Sequence, residues 1–169
     1  VDASLKFMEK RFTRLPASKA SDVEMSQLIS SNEAPWGKAV GIVDTSAASC
    51  FGWVYDWCSN ERMKEHVAKN GNLFRSEDNI PNSHSKIVSA VMKFPKGFNN
   101  RVFHGWFVWA KLEDYNRREA YFLAFAPREE CYDALLSPLP SFQAENETIV
   151  DETKGIYVFE RLAPQVTRL

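Results

Sequence analysis

The sequence predicts an α+β fold in which a curved antiparallel β-sheet packs on buried helices. Three observations predict it. Helical periodicity is confined to the chain before Gly71. From Asn72 on, strand-length apolar segments alternate with turn residues. Phe 12, Trp 5 and Tyr 5, against Gly 7 and Pro 8, supply more ring bulk than one buried layer takes. The 169 residues suit one domain, 1–169, and a first residue of Val reads as a segment of a longer protein.

Val1–Leu15 carries Leu5, Met8, Phe12 and Leu15 at spacings of three and four, an amphipathic helix closed by Pro16. Val23–Ser31 and Trp36–Val43 read as a hairpin around Asn32–Pro35. Asp44-Thr45-Ser46 is a ready N-cap for a helix over Ala47–Ser59. One stripe of that helix is Ala47, Phe51, Val54, Tyr55 and Cys58; a second is Cys50, Trp53 and Trp57. Only Asp56 interrupts, so this helix is expected to be the most buried element. Ser59 caps a second helix, Asn60–Asn70, with Met63 and Val67 inward and Gly71 at its C-terminus.

The predicted strands are Asn72–Asn79, Ser85–Phe94, Arg101–Leu112, Arg118–Ala126, Gly155–Leu162 and Gln165–Leu169. Pro127–Asn146 holds Pro138 and Pro140 and reads as an irregular excursion. Two strands are apolar on both faces. In Arg101–Leu112, Phe103, Phe107 and Trp109 oppose Val102, Trp106 and Val108; in Arg118–Ala126, Tyr121, Leu123 and Phe125 oppose Phe122 and Ala124. A strand with one wet face would alternate. A closed core with a partner surface fits, and so does a sheet gripping a helix around a ligand cavity; composition leaves both open.

Several function classes are excluded. A net charge of −1 carries no electrostatic footprint for nucleic acid. No apolar run approaches the roughly 20 residues that span a bilayer. Nucleotide-binding, hydrolase and metal motifs are absent, so no cofactor and no metal is expected. His66, His84 and His104 lack triad spacing, and an enzyme would have only His104 and Tyr121 to offer. Cys50 and Cys58 on one helix would be about 12 Å apart, too far to bridge. With Cys131 the cysteine count is odd, which suits a reducing, cytoplasmic setting. The sequon Asn146-Glu147-Thr148 points weakly the other way.

Several segments resemble the START (StAR-related lipid-transfer) domain superfamily, and most nearly the divergent START-like domains of algae and other protists. They are Val43–Ala48 leading into Phe51–Ser59, then Asn60–Met63, Asn99–Phe103 at a strand start, and Thr153–Leu162. The resemblance implies a helix-grip fold and non-catalytic binding of a lipid or other hydrophobic molecule, without cofactor. It also implies a C-terminal lid helix; this sequence stops at Gln165–Leu169, so that helix is expected either to lie beyond Leu169 or to have been lost from this domain. The acidic residue of the family's arginine signature is Val102 here, so an ion-pair partner for Arg101 is expected from elsewhere. The charged cavity position of the sterol-binding branch is Phe107, which favours an apolar ligand over a sterol hydroxyl. The ligand-facing residues implied are Phe103, Phe107, Trp109, Tyr121, Leu123, Phe125 and Arg101. Phe98, in the loop Pro95–Asn100, marks the entrance and a transient membrane contact. The competing expectation is a ligand-free interaction or regulatory domain packed against a neighbouring domain of the same chain.

Overall fold

The structure, a computed structural model, describes residues 6–7, 9–17, 21–31, 34–70, 72–79, 82–127 and 148–169. It is α+β, with two packed helices and a large, mainly antiparallel sheet. The chain divides into two compact units. The first holds Val1–Phe51, Ala110–Phe122 and Tyr157–Leu169; the second holds Gly52–Trp109 and Leu123–Ile156.

The first unit opens with β1 (Thr13–Arg14), β2 (Glu24–Leu28) and β3 (Trp36–Val40), a small antiparallel sheet in that order. The expected helix to Leu15 is corrected here. Lys6 and Phe7 are helical, but Thr13 and Arg14 pair with Gln27 and Ser26, and Leu15 N–H donates to Met25 O. Pairing along β2 satisfies more backbone groups than a frayed last helical turn would, so tertiary contact overrides the local period. Residues 1–5 and 8 of that predicted helix lie outside the described residues. The expected strand Trp36–Val43 is also divided. At Gly41 the chain exchanges two hydrogen bonds with Leu169, and β4 (Ile42–Val43) then pairs with β11 (Val166–Arg168).

Helix α1 (Ala47–Tyr55) starts where expected. Ser46 Oγ accepts the Ser49 N–H at 3.1 Å, the side-chain cap that orphan helical donors need. It ends four residues early and is not the most buried element. Ala47 and Phe51 are buried, but Trp53 is 43% exposed, with the Arg62 guanidinium 5.3 Å from its ring. Only one stripe of α1 meets the core; the other is covered by a cation (an Arg stem can shield an indole without a closed interior). Helix α2 (Asn60–Asn70) is capped by Ser59, whose Oγ accepts the Arg62 N–H. Its half-buried residues include Arg62, Met63 and His66, whereas Val67, expected inward, is 59% exposed.

The large sheet also contains β5 (Asn72–Asn79), β6 (Ser85–Met92), β7 (Asn100–Tyr115), β8 (Arg118–Pro127), β9 (Thr148–Asp151) and β10 (Gly155–Ala163). Its strand order is β4-β11-β10-β8-β7-β6-β5, with β9 added parallel to the start of β7. Strand β9 was not expected, and its parallel pairing departs from an all-antiparallel sheet. Residues 128–146 of the predicted excursion lie outside the described residues, as do Gly71 and Glu147; Cys131 falls within that stretch. Strand β6 is the most buried: Ser85, Lys86, Ile87, Val88, Ala90 and Val91 are all buried. The two-faced character of β8 holds, since the sequence neighbours Phe122 and Leu123 point oppositely and are 1% and 0% exposed. The β7–β8 hairpin turns at Asn116 and Arg117, both at positive φ, the conformation of a two-residue turn that matches strand twist.

Within the first unit the core is aromatic and charged together. Phe51 stacks on Tyr121 at 5.1 Å and meets Phe159 edge-on at 6.0 Å. Glu160, 2% exposed, accepts from Arg118 at 3.0 Å and from Arg168 Nε at 2.9 Å. Thr167, fully buried, donates to Thr45 O at 2.7 Å.

Candidate functional site

The second unit carries a single sheet face whose composition changes from apolar to charged along each row. Residues directly opposite in a ladder share a face. Arg75 pairs with Ala90 and Ala90 with Phe103; Glu77 with Val88 and Val88 with Gly105; Asn79 with Lys86 and Lys86 with Phe107. Three strands thus present Arg75 and Glu77, then Lys86, Val88 and Ala90, then Phe103, Gly105 and Phe107, on one side. Trp109 follows by alternation.

The rings on this face meet. Phe103 and Phe107 are 6.4 Å apart between centroids, and Phe125 lies 6.0 and 5.7 Å from them. Trp57 joins at 5.2 Å from Phe107 and 6.4 Å from Phe103. Trp57 reaches them because the chain leaves the helix after Tyr55: Trp57 N–H donates to Tyr55 O, and the turn swings the indole off the α1 axis. Two glycines give the rings room. A Cβ on Gly105 would stand 2.5 Å from the Phe103 ring and 2.8 Å from Ala126 O; one on Gly155 would stand 2.5 Å from Phe125. Both positions exclude any larger side chain while the rings stay where they are.

Charge gathers at the other edge. Lys86, 5% exposed, is held by Glu77 at 2.7 Å and lies 4.2 Å from the Tyr55 ring centroid. Arg75, 8% exposed, stacks its guanidinium 3.9 Å above Trp57 and donates from Nη1 to Trp57 O at 3.1 Å. Arg75 Nε and Trp57 Nε1 are buried donors without an acceptor among the described residues. Burial, then the neighbouring Arg62, pull the Arg75 pKa down to about 10, so it stays cationic at neutral pH. Burial and the charges of Arg75 and Arg62 pull His66 down to about 4, which leaves it neutral. Burial raises Tyr55, with a contribution from Glu77, and raises Cys50 and Cys58, which keeps these thiols protonated and weakly nucleophilic.

Of the residues expected at the site, Phe103, Phe107 and Phe125 come together. Leu123 is fully buried, two positions before Phe125 on the same face of β8. Trp109 lies 6.3 Å from Tyr55 and 4.6 Å from His84, and its Nε1–H donates to Ser83 O at 2.8 Å. Tyr121 belongs to the first unit, stacked on Phe51. Arg101 is half-buried, 5.6 Å from the Phe94 ring; no carboxylate pairs with it among the described residues, and the acidic residues of 128–147 lie outside them. Phe98 is 67% exposed in the turn that Gly97 shapes at φ 99°. His104 lies on the opposite face of β7 from Phe103, buried, with Nδ1 2.6 Å from Ser89 Oγ.

Sequence reading missed Trp57, Arg75, Glu77, Lys86 and the two ring-seating glycines. Trp57 was placed on a helix it does not belong to. No local signal in β5 and β6 marks these charges as covered; Arg75 and Lys86 are buried and Glu77 is half-buried. No group of three metal-ligating side chains and no helix long and apolar enough to cross a membrane occurs among the described residues.

No family model and no curated protein sequence matches the chain. Solved structures do. The lipid transfer and protein localization domain of human StarD13 (DLC2) matches at TM-score 0.66 and 11% identity, over 99% of this chain and 75% of that one. Human STARD10 matches at TM-score 0.70 and 11% identity, over 99% of this chain and 63% of that one. A STAR-related lipid transfer protein from Xanthomonas axonopodis matches at TM-score 0.65 and 8% identity, over 93% and 77%. The chain therefore has the helix-grip α+β fold of the START domains.

Proposed function

We propose that residues 1–169 act as one START-like domain that binds a lipid or other hydrophobic small molecule without chemistry. The observation that carries this reading is the aromatic face of Phe103, Phe107, Phe125 and Trp57, built on the fold shared with lipid transfer domains. Apolar burial contributes about 25 cal/mol per Å² before binding costs, so a long chain needs no catalytic group to be held. Arg101, Trp109 and Leu123, of the same unit, complete the proposed ligand-facing set. The free thiols of Cys50 and Cys58 favour a cytoplasmic setting.

The turn Pro95–Asn100 is the proposed entrance. Phe98 and Phe94 are exposed there, beside exposed Lys93 and Lys96, a combination that suits brief contact with an anionic bilayer. Replacing Phe98 by Ala should slow lipid transfer between vesicles and leave the melting temperature unchanged; equal transfer rates would remove this role.

Native mass spectrometry of the purified chain tests the main reading. A retained lipid mass supports it. The rings already pack on one another, which favours as second reading a ligand-free interaction domain; a clean apo mass after incubation with lipid vesicles would select that one.

A further inference from the structure

The charges of the second unit do not balance where they are buried. Glu77 is the carboxylate on the binding face, and Lys86 already occupies it at 2.7 Å. Arg75, one row away, has no ion-pair partner among the described residues. Its most strongly felt charged neighbour is another cation, Arg62. Of the two carboxylates on helix α2, Glu65 is paired with Lys69 at 2.6 Å, and Glu61 is exposed and forms no ion pair with Arg75 among the described residues. Burying a cation this deeply without a counter-charge is costly, and groups so placed are paired or coordinate something.

Two of the buried donors lie together. Arg75 Nε and Trp57 Nε1 both lack an acceptor among the described residues, and the guanidinium lies 3.9 Å from the indole that bears the second donor. A cationic N–H with an adjacent indole N–H is a receptor for an anionic oxygen. Trp57 touches both environments: Arg75 covers its ring on one side, and Phe107 lies 5.2 Å away. Arg75 also shares a row with Phe103 two strands over, about 10 Å at ordinary strand spacing. A charged end and an apolar end are thus set one head-group length apart on one face.

We infer that Arg75 and Trp57 receive the anionic head group, carboxylate or phosphate, of a lipid whose chain lies along Phe103, Phe107 and Phe125. The inference rests on the lipid-binding reading above and narrows it to anionic amphiphiles. It also replaces the sequence expectation of a plain apolar ligand. The family's charged position is indeed apolar at Phe107, but the charge enters from β5, two strands away.

The test is isothermal titration of the full chain with four probes: oleate, oleyl alcohol, oleoyl lysophosphatidate and inorganic phosphate. Oleate or lysophosphatidate should bind at least about tenfold more tightly than oleyl alcohol, the scale of a charge-assisted hydrogen bond. Whichever of the two binds more tightly assigns the head group. In Arg75→Gln the preference over oleyl alcohol should fall to within about threefold, and Arg75→Lys should keep part of it. Affinities for oleate and for lysophosphatidate that both equal that for oleyl alcohol would overturn the inference and leave the lipid-binding reading standing. Inorganic phosphate binding as tightly as lysophosphatidate would overturn the lipid head group in favour of a free anion. Absence of binding by all three chain-bearing probes would overturn both readings. The first comparison is made on the unaltered chain, so it does not depend on the variants folding.

Discussion

Two buried charges in this molecule are handled in opposite ways. Glu160, in the first unit, is 2% exposed and clasped by Arg118 and Arg168. Arg75, in the second, is 8% exposed, bonded to one backbone carbonyl and left with a buried donor unmet. In the first arrangement each carboxylate oxygen accepts from a guanidinium, and removing any member leaves a charge behind. The second is open: a desolvated cation keeps one donor unmet among the described residues, which is what the proposed head-group site requires. The surroundings agree. Glu160 sits beside Phe159, which closes on Phe51, whereas Arg75 lies over the Trp57 ring in a row that continues through Ala90 to Phe103.

The comparison predicts where substitutions cost stability. The largest effect is expected from Phe51→Ala, which removes the stack on Tyr121 and the edge contact with Phe159. Denaturant melts should show a loss of about 3–5 kcal/mol, the range for a core phenylalanine; a loss under about 1 kcal/mol would show the first unit is not closed around this ring. Next is Glu160→Gln, which keeps the shape and drops the charge. Arg118 and Arg168 are each nearly half exposed and can turn to water, so the expected cost is about 2–3 kcal/mol, below that of a fully buried pair.

Arg75→Met should behave differently. It removes an unpaired buried cation and keeps a stem of similar length, so stability should stay within about 1 kcal/mol of the parent or rise. A loss as large as that of Glu160→Gln would erase the contrast and make Arg75 a structural residue. The smallest effect is electrostatic. His66 has its pKa lowered to about 4, against 6.5 unfolded, so the unfolded chain binds more protons between those values. Its contribution is fully present above pH 6.5 and is lost as pH falls toward 4. The melting temperature should therefore decline through that window, and His66→Gln should flatten the decline. An unchanged slope would place His66 away from the Arg62–Arg75 cluster.

Alternation along a strand is a matter of covalent geometry, and it was legible. The sharing of one face by Phe103 and Phe107, the two-sided burial of β8 and the spans of β5 and β8 to within a residue follow from local pattern and turn chemistry. The cap at Ser46 and the one at Ser59 were legible for the same reason: a cap is satisfied by its own next residues. Arg75, Glu77 and Lys86 were not legible. A charged residue in a strand looks the same whether water or an indole covers it, and which it is depends on a partner far away in sequence. The β5–β6 register sets Arg75 in the row of Phe103, and the turn after Tyr55 brings Trp57 down onto it. The β1 pairing that displaced a predicted helix, and the division of one predicted strand at Gly41, have the same origin. Local periodicity determined which elements this chain has and which way each side chain points. Only non-local pairing decided which strands lie beside which, and therefore which charges are buried and which of them are left without a partner.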